Sequence, residues 1–148
     1  MQRIPPVALA GAAALMQAVL ARRAQSTRTA KLLAGVIAAG SLGLGGAAVG
    51  SFLRHGTSAD PMDVAKAEVL VRSGVYRFTR NPMYLSLAGG LLAHAIYRRS
   101  FRALVPIGFF VVAINSGQIP AEEQALRDRF GEEFDQFSQQ VPRWLGTP

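Results

Sequence analysis

Four long stretches of the sequence contain no charged residue, and they constrain the fold more than any other feature. They run from Ile4 to Ala21, Leu32 to Leu53, Asn81 to Tyr97 and Ala103 to Ala121. As helices these stretches would be roughly 25–33 Å long, which brackets the hydrocarbon core of a bilayer. The sequence therefore predicts an all-α integral membrane bundle in a single domain, 1–148. About four transmembrane helices are expected, near residues 4–21, 32–53, 82–97 and 103–119.

Two other kinds of segment also contain long uncharged stretches: the helices of a soluble bundle and a signal peptide. A soluble bundle would place polar residues at every third or fourth position, and here they are scarce. The first stretch also resembles a signal peptide, because Arg3 precedes an apolar run that ends in small residues near Ala21. It is long for such a segment, and Arg22-Arg23 follow as an interfacial stop. A retained helix is the favoured interpretation.

The net charge of +7 is distributed between the neutral stretches. This distribution favours anionic lipid headgroups over a nucleic-acid groove as the partner, and the sequence contains no nucleic-acid motif. Without cysteine, the chain has no disulfide, no thiolate metal site and no cysteine nucleophile. Lys and Arg number nine on one expected side and seven on the other, which leaves the orientation open.

The second stretch, LLAGVIAAGSLGLGGAAVGSFL, is dominated by Gly and Ala. Its Gly46-x-x-x-Gly50 spacing lets another helix approach closely, either within the bundle or in a second copy of the chain. A homo-oligomer formed through helix 32–53 is therefore a possible assembly.

A polar connection, Arg54 to Arg80, leads into the stretch RFTRNPMYL at 77–85. Its last part, AEVLVRSGVYRFTR, resembles a short amphipathic piece broken at Gly74. Asn81 is a favourable N-cap, and Pro82 suits the first helical position. Local rules alone thus account for the start of the third helix, and Tyr84 fits the aromatic belt of a membrane interface.

Only residues 98–102 join the third and fourth helices, which predicts an antiparallel hairpin. The hairpin would bring one end of each helix to the same membrane side, and the polar residues expected to converge there are Arg77, Arg80, Asn81, Tyr84, Glu122 and Glu123. A purely structural alternative exists, because carboxylates just after Pro120 would stabilise the first turn of a tail helix through its dipole.

The tail carries an apolar stripe at helical spacing on an otherwise charged segment. The stripe consists of Leu126, Phe130, Phe134, Phe137 and Val141. This pattern predicts an amphipathic C-terminal helix that lies along the membrane surface or over the end of the bundle.

His94, near the middle of the third helix, is an ionisable residue at membrane depth, where function is the default hypothesis. A neutral histidine hydrogen-bonded to Asn115 or Gln118 is the simpler interpretation and is favoured. No metal site is expected, because only His55 could add a second imidazole.

The segments GVYRFTRNPMYL, EEQALRDRFGEEF and VPRW, with a hairpin between the first two, resemble a known family. They are similar to the membrane-embedded isoprenylcysteine carboxyl methyltransferases, their bacterial relatives and the related phospholipid methyltransferases. The resemblance covers residues 74–145. Its matching positions, in order, are Gly74, Tyr76, Arg80, Pro82, Tyr84, Glu122, Glu123, Leu126, Phe130, Gly131, Val141, Pro142 and Arg143.

The resemblance implies S-adenosylmethionine bound at the cytosolic face, between the loop before the third helix and the Glu122-Glu123 pair. The cofactor carboxylate would be bound by Arg80, and the amino and sulfonium charges by the two glutamates. The implied cofactor-binding residues are Tyr76, Arg80, Asn81, Pro82, Tyr84, Glu122 and Glu123. The catalytic candidates among them are Arg80, Asn81 and Glu123.

The chain departs from the family pattern at Asn81, where the family has His. Asn keeps a donor and an acceptor but cannot become a cation, so a proton-transfer role would be lost. Phe134 and Phe137 stand where the family often has Tyr. No convincing general base is present, which favours a lipophilic carboxylate or thiolate as the methyl acceptor. A phospholipid N-methyltransferase and a catalytically silent membrane homologue are the alternatives.

Composition and resemblance together suggest a location. Richness in Ala, Gly and Arg is typical of bacteria with GC-rich DNA, so a bacterial inner membrane is expected. The resemblance places the active site on its cytoplasmic face.

Overall fold

The computed structural model describes residues 4–21, 25–56 and 68–147. Over these residues the protein is helical and contains no strand, which confirms the all-α fold class. Six α-helices follow one another: α1 Pro6–Leu20, α2 Arg28–Arg54, α3 Pro82–Arg98, α4 Leu104–Ala113, α5 Ile119–Phe130 and α6 Glu132–Gln140. One-turn 3-10 helices cover Gly74–Arg77 and Phe101–Ala103. The expected basic stop at Arg22-Arg23 and the connection over 57–67 lie outside the described residues.

Helices form at all four predicted positions, but the fourth has a different end. A π-helical turn, Ile114–Gln118, joins α4 directly to α5, so one helical segment runs through Phe101–Phe130. The prediction that this helix ends at 119 and that a new one starts after Pro120 is therefore wrong. Pro120 is accommodated in the first turn after the π turn, where its missing N–H breaks the α-helical pattern least.

Two of these segments are long and apolar enough to cross a membrane: Arg28–Arg54 and Phe101–Phe130. Only 11% of the apolar window in Arg28–Arg54 is buried, which differs from the core helix of a soluble protein. The segment Pro6–Leu20 is apolar but shorter. A total of about four membrane spans stays a prediction.

Helices α2 and α3 pack closely where small residues face each other. A Cβ added to Gly45 would lie 2.6 Å from the Ser86 hydroxyl oxygen, and Gly89 is similarly close to Ser41. Gly46 and Gly50 were the residues predicted for a close approach within the bundle, and that prediction is wrong. No neighbouring atom of the described residues lies within 4 Å of a Cβ built on either of them. Their use in contact with a second copy stays a prediction.

Gln17 joins α1 to the α3–α4 hairpin. Its side chain is fully buried, and its amide nitrogen donates to the Leu91 carbonyl at 3.0 Å and to the Ala103 carbonyl at 2.7 Å. Arg98 adds hydrogen bonds to the carbonyls of Ala18 and Ala21 at the C-terminal end of α1. A cation there also interacts favourably with the helix dipole.

His94 is bonded to α1 and not to α4. Its Nδ1 lies 2.8 Å from the side-chain oxygen of Gln17. The predicted partners, Asn115 or Gln118, are wrong because those side chains face other residues of the fold. The underlying interpretation, a histidine with a polar partner inside the bundle, agrees with the contact observed.

The connection between α3 and α4 is as short as the sequence predicted. Arg99 adopts a left-handed conformation with φ 48°, which ends α3 and turns the chain into the 3-10 helix Phe101–Ala103. The α3–α4 pair is therefore a tight hairpin. At the end of the hairpin away from this turn, α5 lies beside the start of α3, where Arg80 and Tyr84 contact Glu123 and Glu122.

Gly131, with φ +52°, divides the tail into α5 and α6. A positive φ is a conformation that side-chain-bearing residues rarely adopt. The predicted apolar stripe survives the break, because all of its residues lie in one cluster with Leu70, Val71 and Tyr76 and the C-terminal part of α2. This packing agrees with the expected position over the end of the bundle, and a position along the membrane surface stays a prediction. In the predicted amphipathic piece, residues 68–73 are not helical and the 3-10 helix begins at Gly74.

Candidate functional site

The start of α3 is fixed by tertiary contacts as well as by local rules. Pro82 occupies the first helical position and is fully buried, as predicted. Asn81 is the N-cap residue, but its side chain makes no capping hydrogen bond, so its expected role as a side-chain cap is wrong. Its amide nitrogen instead donates to the backbone carbonyl of Arg143 at 3.0 Å. Thr79, buried beside it, donates to the same carbonyl at 2.8 Å.

Glu123 on α5 is held by two arginines. Arg80 donates from Nη1 to Oε1 at 2.8 Å. Arg143 donates to both carboxylate oxygens, from Nε at 2.8 Å and from Nη2 at 2.6 Å. The Arg80 and Glu123 side chains are each only 13% exposed. The bidentate pair is the one with Arg143, whose side chain is 36% exposed, and the less solvated pair is the one with Arg80. Bidentate geometry makes the first pair specific, and low exposure distinguishes the second from a surface ion pair.

The two arginines experience opposite electrostatic effects. Burial lowers the pKa of Arg80, the Glu123 charge opposes that shift, and Arg143 and Arg127 add to the lowering. The pKa of Arg143 is raised, chiefly by its hydrogen bond to Glu123. Both remain cationic near neutral pH, because arginine is effectively always protonated. Two cations thus share one carboxylate, which leaves an excess of positive charge beside Glu123.

Glu122 forms the second half of the site. Its Oε1 accepts a hydrogen bond from the Tyr84 hydroxyl on α3 and another from the Gln118 amide at 2.7 Å. Gln118 is the last residue of the π turn and lies four residues before Glu122, so both side chains lie on one face of the helix. The carboxylate is therefore oriented by one group from each side of the hairpin.

Tyr76 lies beneath these groups at the 3-10 turn. It is buried, and its ring meets Phe52 of α2 edge-on at 5.4 Å between centroids. Burial, followed by the charge of Glu122, raises the pKa of the Tyr76 hydroxyl, which therefore stays protonated. Arg77, also expected at this side, is exposed and belongs to the surface.

Phe134 provides an apolar floor for the cations. It is 1% exposed, and the guanidinium carbons of Arg80 and Arg127 lie 6.0 Å and 5.4 Å from its ring centroid. A cation over an aromatic face is attracted by the ring quadrupole. This position, often Tyr in the family that the chain resembles, therefore contributes packing and not a hydroxyl.

The structure adds four residues that sequence reasoning did not assign to the site. Arg143 matches the family pattern, but the sequence indicates no role for it. Gln118 is one of the two hydrogen-bond partners that the sequence predicts for His94. Thr79 and Trp144, whose indole nitrogen donates to Asn115 at 3.2 Å, were not singled out. The spacing of Gln118 and Glu122 could have revealed their pairing, whereas the other contacts join segments distant in sequence.

Together the groups form a compact pattern of charges at one end of the bundle. Arg80 and Arg143 supply cations, and Glu122 and Glu123 supply carboxylates. This arrangement suits a ligand that carries both a carboxylate and a positive charge. Within the described part of the chain, no group of three or more His, Asp or Glu residues is placed to hold a metal ion.

The sequence matches the model of a protein family and, over part of its own length, a curated protein. The model of the phospholipid methyltransferase family matches residues 32–133, which is more than half of the chain. A curated protein of Haemophilus influenzae, described as an uncharacterized protein, is 40% identical over 63 residues. That match covers 43% of this chain and 100% of that protein. No solved structure matches the chain.

Proposed function

The chain belongs to the phospholipid methyltransferase family, and from this membership we propose that it is a membrane-embedded methyltransferase that uses S-adenosylmethionine. The observation that carries the proposal is the poorly exposed cluster in which Arg80 and Arg143 bind Glu123 next to the Tyr84–Glu122 pair. These residues come from three separate segments of the chain: the start of α3, α5 and the tail after α6.

The residues present fit the cofactor. The Nε–H of Arg80 is buried and has no hydrogen-bond partner among the described residues. A buried donor without a partner is energetically unfavourable, so a ligand acceptor at this point would relieve it. The carboxylate of the cofactor would bind at Arg80, and its ammonium and sulfonium charges would be balanced by Glu122 and Glu123. Asn81, Pro82 and Tyr76 would form the wall nearest to these groups.

Bound S-adenosylmethionine would supply an electrophilic methyl group for an in-line displacement. The protein then has to orient the two reactants and exclude water. Tyr84 and Gln118 hold the Glu122 carboxylate, and Arg143 holds Glu123, so neither carboxylate is free to rotate. The apolar cluster around Phe134 and Phe137 keeps water from the side of the site that faces α6.

The methyl acceptor proposed first is a lipophilic carboxylate or thiolate. An anionic acceptor needs no general base, and here both glutamates are held by donors while Tyr76 stays protonated. The second candidate is the amine of a phospholipid headgroup, which the description of the family favours. An amine would require removal of a proton, and Glu122, held by the hydrogen bonds from Tyr84 and Gln118, is the carboxylate that would accept it.

The same proposal extends to the setting of the protein. We infer a bacterial inner membrane with the site on the cytoplasmic face, membrane lipids as the surroundings and no nucleic-acid partner. A catalytically silent homologue that keeps the pocket for lipid or partner binding is the competing hypothesis.

The test is calorimetric titration of the detergent-purified protein with S-adenosylhomocysteine. Wild-type protein is expected to bind saturably. Glu123→Gln is expected to lower the affinity at least tenfold, because removing one member of a poorly exposed ion pair leaves its partners unpaired. Glu133→Gln is the matched control, since Glu133 pairs with Arg72 at 3.1 Å on the exposed surface.

Equal binding by wild type and both variants would show that the cluster is not the cofactor site. No binding by folded wild-type protein would contradict the methyltransferase proposal. A protein that binds S-adenosylhomocysteine but transfers no methyl group from S-adenosylmethionine to any lipophilic acid, thiol or phospholipid amine would support the silent homologue.

A further inference from the structure

The C-terminal strap, Val141 to Trp144, connects the two arms of the candidate site. Its backbone faces the loop before α3. The Pro142 carbonyl accepts a hydrogen bond from the backbone N–H of Arg80 at 2.8 Å. The Arg143 carbonyl accepts from the Thr79 hydroxyl and from the side-chain amide of Asn81. Three donors from three consecutive residues therefore fix two consecutive strap carbonyls.

The side chains of the strap extend in the other direction, to the long helical segment Phe101–Phe130. Arg143 donates to Glu123 from Nε and Nη2, and the indole of Trp144 donates to Asn115 in the π turn. Trp144 also packs against the apolar cluster that contains Tyr84 and Ile119. The strap thus holds the loop and the helix in one relative position, and Arg143 takes part in both sets of contacts, through its carbonyl and through its guanidinium.

From these contacts we propose that Asn81 is a positioning residue whose function is to donate a hydrogen bond to the strap. Its amide is 3.0 Å from the Arg143 carbonyl, and the residue is 9% exposed, so the hydrogen bond is poorly accessible to water. The neighbouring Thr79 hydroxyl accepts from the Asn81 backbone N–H, which orients both donors toward the same carbonyl. Position 81 therefore requires an N–H donor, and neither proton transfer nor a cationic side chain is needed there.

This assignment rests on the proposed function only in its consequence for the cofactor. An anchored strap places the Arg143 guanidinium on Glu123, and the same carboxylate also pairs with Arg80. Loss of the anchor would let Arg143 move and would leave Arg80 with the whole charge of Glu123. The presence of Asn where related proteins have His is then compatible with a working site.

The strap contains the only tryptophan of the chain, so its position can be followed directly. Quenching of Trp144 fluorescence by acrylamide, measured without any ligand, reports whether the strap is docked. Asn81→Leu removes the donor at similar size, Asn115→Leu releases the other end, and Asn81→His retains an N–H. Gln140→Leu is the control, because Gln140 is exposed at the end of α6 just before the strap.

We expect faster quenching in Asn81→Leu and Asn115→Leu, and wild-type quenching in Asn81→His and Gln140→Leu. Circular dichroism should show unchanged helicity in all four variants. Affinity for S-adenosylhomocysteine should fall about fivefold in Asn81→Leu, the effect of one lost hydrogen bond, and be retained in Asn81→His at every pH across the histidine titration.

Wild-type quenching in both leucine variants would overturn the assignment. So would an affinity or transfer rate in Asn81→His far above wild type, since that gain would mean that the imidazole itself is needed. If folded wild-type protein binds no S-adenosylhomocysteine, the proposed function fails while the quenching results still decide the role of Asn81.

Discussion

At the scale of single residues, the Tyr84 hydroxyl is the group whose removal should affect ligand binding most selectively. It donates to Glu122, which also accepts from Gln118 and so keeps one partner in a Tyr84→Phe variant. We expect the affinity for S-adenosylhomocysteine to fall about fivefold, as for one hydrogen bond, with little change in thermal stability. Calorimetry and thermal unfolding in detergent measure both quantities.

The control is Tyr97→Phe, which alters a half-exposed tyrosine near the opposite end of the same helix. Equal affinities in the two variants would mean that Tyr84 does not orient a ligand-binding carboxylate. A large loss of stability in Tyr84→Phe would assign the hydroxyl to the fold.

Residue-level reasoning from the sequence predicted which side chains meet but not what each of them does. A short hairpin brings the two helix ends together and so predicts that Arg80, Tyr84, Glu122 and Glu123 meet. Their contacts confirm that they lie together at one end of the bundle, and a location at one membrane side stays a prediction. The partner of Asn81 lies more than sixty positions away, in a tail whose path depends on packing. Local rules made Asn81 a helix cap, and no rule of spacing could have corrected that.

At the scale of elements, the close approach of α2 and α3 predicts a sharp difference between neighbouring glycines. Gly45 faces Ser86, whose Cβ is 3.4 Å from a Cβ built at that glycine, whereas Gly46 meets no atom within 4 Å. Gly45→Leu should separate the helices and destabilise the protein by about 1–3 kcal/mol, the usual effect of overpacking. Gly46→Leu should not, and thermal unfolding in one detergent compares the two.

The outcome for Gly46→Leu also bears on assembly. A change in oligomeric size with unchanged monomer folding would support contact with a second copy through this face of α2. Similar destabilisation by both substitutions would contradict the packing described here.

The boundaries of elements follow from both local and distant causes. The start of α3 was predictable because Pro82 suits a first turn, and the hairpin was predictable because only residues 98–102 were left for it. The continuation of α4 into α5 was not, because the charges at Glu122 and Glu123 indicate, by sequence alone, the end of an apolar helix. Those charges are tolerated inside the helix because the arginines, Tyr84 and Gln118 bind them.

At the scale of the whole molecule, the site and the start of α2 lie at opposite ends of the bundle. The hydrogen bond from Arg99 to the Gln25 carbonyl, 3.3 Å, joins the segments before α2 and after α3 at one end. The contacts of Glu123 and Tyr84 join α3 and α5 at the other. If four segments cross the membrane, residues at the two ends must face different compartments.

Because the chain has no cysteine, single cysteines introduced at exposed positions give an unambiguous test of this topology. Gln25→Cys and Arg102→Cys should react with a membrane-impermeant maleimide from one side, and Glu133→Cys only from the other, since the three residues are exposed at the two ends. Intact cells compared with permeabilised cells distinguish the sides. Labelling of Arg102→Cys and Glu133→Cys from the same side would mean that Phe101–Phe130 does not cross the bilayer, and both ends of the bundle would then face one compartment. Labelling of Gln25→Cys and Arg102→Cys in intact cells, with labelling of Glu133→Cys only after permeabilisation, would show that Phe101–Phe130 crosses the bilayer and would support a cytoplasmic site.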